Sequence, residues 1–172
     1  MARVLSVDRG FVMLAGLGSA ALLLAALGFQ YLGGLAPCAM CIWQRWPHAV
    51  ALGAAALGLS VMPRLAAGLG AAAMLTGAGL ALYHVGVEQR WWEGPATCSA
   101  GDISGLSAEA LMAQIMTAPI VRCDEIAWEL AGISMAGWNG LASLALAAVW
   151  LISLTGSGRV LRGAQASSSA SQ

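Results

Sequence analysis

Apolar residues fall along the chain in four long runs separated by short polar interruptions and one long one. Residues 11–30, 42–62, 65–87 and 135–154 each supply the roughly 20 mostly apolar positions needed to cross a hydrocarbon layer about 30 Å thick. The first, third and fourth runs contain no Asp, Glu, Lys or Arg. The second opens on Trp43, Gln44, Arg45, Trp46, Pro47 and His48, a polar turn in a segment that should not tolerate one. Polar groups held at that depth mark function more often than architecture. Glycine and alanine fill the interiors, as in AGLGSAALLLAALG and GLGAAAMLTGAGLAL, and small residues let helix backbones pack closely within a membrane. The pattern predicts an all-α membrane protein, a bundle of four transmembrane helices.

The interruptions complete the plan. Residues 63–64 make a cytoplasmic turn in which Pro63 stops one helix and starts the next, so the second and third spans are expected to be antiparallel neighbours. Residues 31–41 form a first outer loop, and residues 88–134 form a second of 47 residues. Within the latter, SAEALMAQIM (107–116) reads as a short amphipathic helix: Ser107 caps it, and Leu111, Met112, Ile115 and Met116 share one side. Residues 1–10 and 155–172 are the ends, the latter closing on GAQASSSASQ, a composition expected to stay disordered.

Composition supports the membrane reading: 59% of the 172 residues are hydrophobic and 9% charged, which excludes an ordinary water-soluble domain. The eight basic residues are all arginine and balance eight acids, so no nucleic-acid footprint is present in the total. Their distribution is uneven. With both termini inside, the inner face holds Arg3, Arg9, Arg64, Arg159 and Arg162 against Asp8, a net of +4, and the outer loop is acidic. Positive residues favour the cytoplasmic side, so this orientation is expected. Arg3 and Arg9 ahead of an apolar run resemble a signal peptide, but the run is longer than the usual core of one; Leu35, Ala36, Pro37 and Cys38 make only a poor lipoprotein site.

That orientation places all four cysteines, Cys38, Cys41, Cys98 and Cys123, on the outer face, where disulfides persist. Cys38 and Cys41 form a Cys-x-x-Cys at the start of the second span. A bridge closing so small a loop stabilises little, so redox chemistry is the better explanation. A helix N-terminus and a nearby cation both favour a thiolate, and Arg45 follows Cys41 by one helical turn if the helix runs unbroken through Pro47. Arg45 could equally extend its charge to the lipid headgroups. Cys98 and Cys123 admit two readings, a structural staple worth about 3 to 4 kcal/mol or a bridge that exchanges with the first pair. No metal is expected, because zinc would want two closely spaced pairs. His84, near the outer end of the third span, and His48, seven residues after Cys41, are each a packing residue or part of a pocket.

The segments PCAMCIWQR (37–45), ATC ending at Cys98, and CDEIAWELAGISMAGW (123–138) resemble the DsbB family of quinone-dependent disulfide-forming proteins of the bacterial inner membrane. The resemblance extends from the first span to the fourth. It implies that Cys38 and Cys41 deliver electrons to a membrane quinone, ubiquinone or menaquinone, with Cys41 facing the ring. Arg45 would stabilise the thiolate and the reduced quinone, and His84 would be a quinone-site residue. Cys98 and Cys123 would form the loop disulfide that oxidises a DsbA-like periplasmic thioredoxin-fold partner, Cys98 taking the mixed disulfide. His48 matches nothing in the family pattern. The expected protein is a monomer whose partners are that dithiol protein, the lipid and the quinone pool, with no nucleic acid. So oxidising a partner, at about −120 mV for DsbA, requires a strong acceptor, because each 30 mV of mismatch is about 1.4 kcal/mol. Two alternatives stand beside this: a quinone reductase of the vitamin K epoxide reductase type, in which the loop pair precedes the Cys-x-x-Cys, and a non-catalytic scaffold stapled by disulfides.

Overall fold

The computed structural model describes residues 7–95, 98, 107–117 and 121–155. Four long helices, α1 (Arg9–Tyr31), α2 (Ala39–Ser60), α3 (Pro63–Glu88) and α5 (Met135–Thr155), pack side by side. The outer connection adds the short helix α4 (Ala108–Thr117) and a two-stranded antiparallel ribbon, β1 (Glu129–Leu130) and β2 (Ile133–Ser134). Going round the bundle, α1 touches α2, α2 touches α3, α3 touches α5, and α5 closes on α1. Among the described residues, α1, α3 and α5 are long and apolar enough to cross a membrane. Helix α2 has a similar length of 22 residues but carries the polar turn in its first half. The chain is thus a helical membrane protein.

Local signals set the helix ends. Asp8 caps α1 by accepting from the Gly10 amide at 2.8 Å, and its own amide donates to the Ser153 carbonyl, tying the start of α1 to the end of α5. Helix α2 stops at Ser60, and Pro63 takes the first position of α3, where its missing N–H costs nothing. At the other end of α3, Arg90 adopts a left-handed φ of 59°. The Trp91 amide then reaches the Gly86 carbonyl and the Arg90 amide the Val87 carbonyl, which satisfies the last turn. The chain folds back, and the Trp92 indole lies over Gly86, donating to the Tyr83 carbonyl at 2.9 Å. Ser107 caps α4 through the Ala110 amide, as its sequence predicts. Met112 and Met116 are exposed; the side chains of Leu111 and Ile115 and the segment GAQASSSASQ lie outside the described residues.

Two apolar clusters lie inside. The larger joins all four helices through Val12, Ala15, Ala51, Ala67, Met74 and Trp150. Its small residues set the spacing: a Cβ on Gly16 would lie 2.7 Å from that of Ala55, and one on Gly70 would overlap the buried Trp150 indole. The outward faces carry Leu17, Leu24, Leu82 and Leu144, an apolar surface suited to lipid. The smaller cluster sits at the other end of the bundle and gathers Cys38, Met40, Val87, Cys98 and Cys123. Core and chemistry are therefore separated along the helix axis.

Candidate functional site

Helix α2 positions the first cysteine pair. It begins at Ala39, three residues before the apolar run, and continues through Pro47 without a break, so Cys41 and Arg45 do share a face. Cys38 is the N-cap, its sulfur accepting from the Cys41 amide at 3.1 Å. The two sulfurs are 2.7 Å apart, closer than unbonded sulfurs settle, so the pair is poised to close a disulfide. In the reduced pair one proton serves both. Cys38 is held well above the usual thiol range by hydrogen bonding to Cys41 and by burial. Cys41, just ahead of the apolar run, is lowered to about 7, chiefly because the Cys38 thiol donates to it; the Arg45 charge contributes least. Arg45 directs Nη1 to the Gln30 side chain on α1 at 2.7 Å.

The second pair, Cys98 and Cys123, forms a disulfide, and the Cys123 amide donates to the Cys98 carbonyl. A bridge attacked directly by a partner thiolate has to be accessible. Both cysteines are instead fully buried, because the bridge packs beneath Tyr83, Val87 and Val121 and against Cys38. Ala96 and Thr97, just before Cys98 in the chain, lie outside the described residues. What burial achieves is proximity: the sulfurs of Cys38 and Cys123 and a ring nitrogen of His84 all lie within 4.8 Å of one another. This trio resembles a metal-ligand set, but the Cys123 sulfur is already committed to its disulfide.

Polar side chains buried between helices extend from this point. His84 on α3 sits 3.6 Å from the Cys38 sulfur and 3.9 Å from the Glu88 carboxylate. Glu88 accepts from Ser134 at 2.5 Å, and Ser134 also receives the Gly137 amide at the start of α5. Gln44 bridges His84 at 2.7 Å and Asn139 at 2.8 Å, and Asn139 meets His48 at 2.9 Å. Four of these, Gln44, Glu88, Ser134 and Asn139, were not singled out as site residues from sequence. The available signal was a polar side chain inside an apolar helix, which Gln44 and Asn139 both carry.

Beside the Cys-x-x-Cys lies a cavity of about 410 Å³, within the range of small-molecule pockets. Leu22, Leu23 and Ala26 of α1 form an apolar wall, and Phe29 and Trp128 meet as tilted rings 5.2 Å apart. Cys41, Arg45, His48 and His84 line the polar side. An aromatic-walled apolar slot with a cation and a thiol at one side fits a flat, lipid-soluble ring carrying carbonyl oxygens. The structure thus brings together Cys38, Cys41, Cys98, Cys123, His84 and Arg45, the six residues singled out from sequence.

A helical membrane protein with two apposed cysteine pairs at one end of its bundle has the arrangement that thiol–disulfide exchange requires. Comparison with known proteins agrees. Residues 8–153 match the family described as disulfide bond formation protein DsbB. The chain is 31% identical over 168 residues to disulfide bond formation protein B of Polaromonas sp., covering 87% of this chain and 92% of that one. It is 35% identical over 141 residues to the protein of that name from Methylococcus capsulatus, covering 77% and 85%. Disulfide bond formation protein B 2 of Pseudomonas aeruginosa is 30% identical over 139 residues, covering 77% and 82%. The chain belongs to the DsbB family. That membership sets it apart from the vitamin K epoxide reductase type weighed above.

Proposed function

We propose that this protein is a thiol oxidase of the bacterial inner membrane that reoxidises a DsbA-like periplasmic dithiol protein and passes the electrons through its two cysteine pairs to a membrane quinone. The observation that carries the reading is the approach of the Cys123 and Cys38 sulfurs to within 4.8 Å, which makes exchange between the two pairs a short displacement. Residues 42–62 form the fourth span, both termini are cytoplasmic, and residues 31–41 and 88–134 face the periplasm; the arginine distribution supports this. The acting unit is a monomer, since one chain carries both pairs.

The sequence of bonds follows from the positions of the sulfurs. A thiolate of the partner attacks Cys98, forming a mixed disulfide and releasing Cys123 as a thiolate. Because the bridge is buried, this step requires the outer segment to part. Cys123 then attacks Cys38 of an oxidised Cys38–Cys41 pair, and Cys41 leaves as the thiolate. Its lowered pKa makes it the better leaving group of the two. The partner's second thiol attacks the mixed disulfide, leaving the partner oxidised and Cys98 a thiolate. Cys98 attacks Cys123, restoring the loop bridge and releasing Cys38. A quinone, ubiquinone or menaquinone, supplies a sink for two electrons and two protons when bound beside Cys41. Arg45 holds negative charge at the edge of that cavity, and His84 sits where a proton or hydrogen bond reaches Cys38.

Trapping tests this order. Cys123→Ser leaves Cys98 unpaired, so oxidised DsbA should accumulate on it as a covalent complex that dithiothreitol releases, while Cys98→Ser should trap little. Equal trapping by both variants would overturn the assignment of Cys98. Full activity in both, with no complex, would return the bridge to the role of a staple.

A further inference from the structure

His48, Asn139 and Gln44 form a continuous bridge from the middle of α2, through α5, to His84, and no step above uses it. Its sense can be worked out from its two ends, because amide orientation and imidazole tautomer must satisfy every bond at once. Suppose each link points toward the cysteines. His48 Nε2–H donates to Asn139 Oδ1 at 2.9 Å, with Ser143 Oγ a longer contact at 3.5 Å that serves as acceptor here, Asn139 Nδ2–H donates to Gln44 Oε1 at 2.8 Å, and Gln44 Nε2–H to His84 Nδ1 at 2.7 Å. His84 then carries its proton on Nε2, facing Cys38 and Glu88. His48 Nδ1, buried and without a hydrogen-bond partner among the described residues, is only a bare lone pair.

The reversed sense fails at both ends. It would place the proton of His48 on Nδ1, a buried N–H with no acceptor among the described residues, and burying an unsatisfied donor is costly. It would also leave His84 Nε2 without a proton, if neutral, turning a lone pair toward the Glu88 carboxylate 3.9 Å away. An imidazolium at His84 would relieve that contact but would still force the unsatisfied N–H on His48. Both ends therefore select the same direction.

We infer that His48, acting through Asn139 and Gln44, is a positioning residue that fixes His84 as the Nε2–H tautomer, so that His84 donates to the Cys38 sulfur when that sulfur becomes a leaving group. The bridge spans α2, α3 and α5, so it also couples the packing of those helices to the chemistry at Cys38. The inference rests on the exchange route proposed above for the step it names. That step is the attack of the Cys98 thiolate on Cys123 in the Cys38–Cys123 disulfide. The Cys98–Cys123 bond forms, the Cys123–Cys38 bond breaks, and Cys38 departs with the electron pair. The His84 N–H meets the charge as it grows.

The test reads the tautomer directly and the rate separately. In the full-length protein with 15N-labelled histidine, magnetic resonance should show the His84 proton on Nε2. Asn139→Asp removes the N–H that orients Gln44. A carboxylate at position 139 accepts from both neighbours, so Gln44 should turn its oxygen toward His84 and move the proton to Nδ1. His48→Phe removes the anchoring end and should give a mixture of tautomers. With reduced DsbA in rapid-quench experiments, the Cys38–Cys123 species should decay roughly tenfold to a hundredfold more slowly in Asn139→Asp, the rate equivalent of one hydrogen bond to a charged group. A His84 proton on Nδ1 in the unaltered protein would overturn the inference without reference to any variant's folding. An unchanged tautomer and an unchanged decay in Asn139→Asp would overturn it as well. Failure of the unaltered protein to oxidise DsbA, with the tautomers as stated, would count against the oxidase reading instead.

Discussion

The first cysteine pair permits a quantitative test of where its reactivity comes from. A free thiol with the ordinary value of 9.0 is about 1% thiolate at pH 7, whereas Cys41, lowered to about 7, is about half ionised. The leading cause is the hydrogen bond from Cys38, and the Arg45 charge contributes least. Cys38→Ala should therefore return Cys41 toward its ordinary value and cut its thiolate fraction at pH 7 by up to about fiftyfold. Arg45→Ala should move it much less. The sign is fixed by which form is stabilised: lowering the pKa favours thiolate, so Cys41 should react fast above pH 7 and slow as pH falls through 7. The assay is alkylation of Cys41 by iodoacetamide between pH 5 and 10, followed by peptide mass spectrometry. It is run on the fully reduced protein, on Cys38→Ala and on Arg45→Ala. A midpoint near 9 in the unaltered protein would refute the argument. So would a larger shift from Arg45→Ala than from Cys38→Ala.

Three further outcomes follow from the same description. With Glu125→Cys, an exposed position beside the buried bridge, an impermeant thiol reagent applied to intact cells should label the added thiol, and labelling only after membrane disruption would reverse the proposed orientation. Arg45→Ala should leave the Cys98–Cys123 bridge intact while raising the quinone concentration needed for half-maximal turnover; unchanged quinone kinetics would assign Arg45 to the lipid headgroups. Gly70→Ala should destabilise the bundle by about 1 to 3 kcal/mol, because the added methyl overlaps the buried Trp150 indole. A lowered thermal midpoint in detergent, with thiol exchange preserved in the folded protein, would confirm that the core is separate from the site.

Much of the bundle was legible because apolar runs of membrane length leave few alternatives, and because Pro63 marks the turn between α2 and α3. The polar turn at Gln44 and Arg45 pointed to the site for the same reason. The ribbon was not legible. Its two-residue turn uses Ala131 at φ 54° beside Gly132 at φ 75°, and alanine is a poor advertisement for a left-handed turn. The burial of the loop bridge was also hidden, since it arises from Tyr83 and Val87 of α3 closing over cysteines of the outer segment. Asn139 escaped notice because the fourth run was judged by its lack of charge. An uncharged amide inside a helix becomes informative only when its partners, Gln44 and His48, are seen.

The central claim is that electrons from a dithiol reach a quinone through these four cysteines, and coupled turnover measures it most directly. Purified full-length protein would be mixed with reduced DsbA and a soluble ubiquinone, following DsbA oxidation by fluorescence and quinone reduction by ultraviolet absorbance. The expected result is one quinone reduced for each disulfide formed, with both signals abolished by Cys41→Ser and by Cys98→Ser. Quinone reduction that continues in Cys41→Ser, or DsbA oxidation that proceeds without quinone through many turnovers, would contradict it.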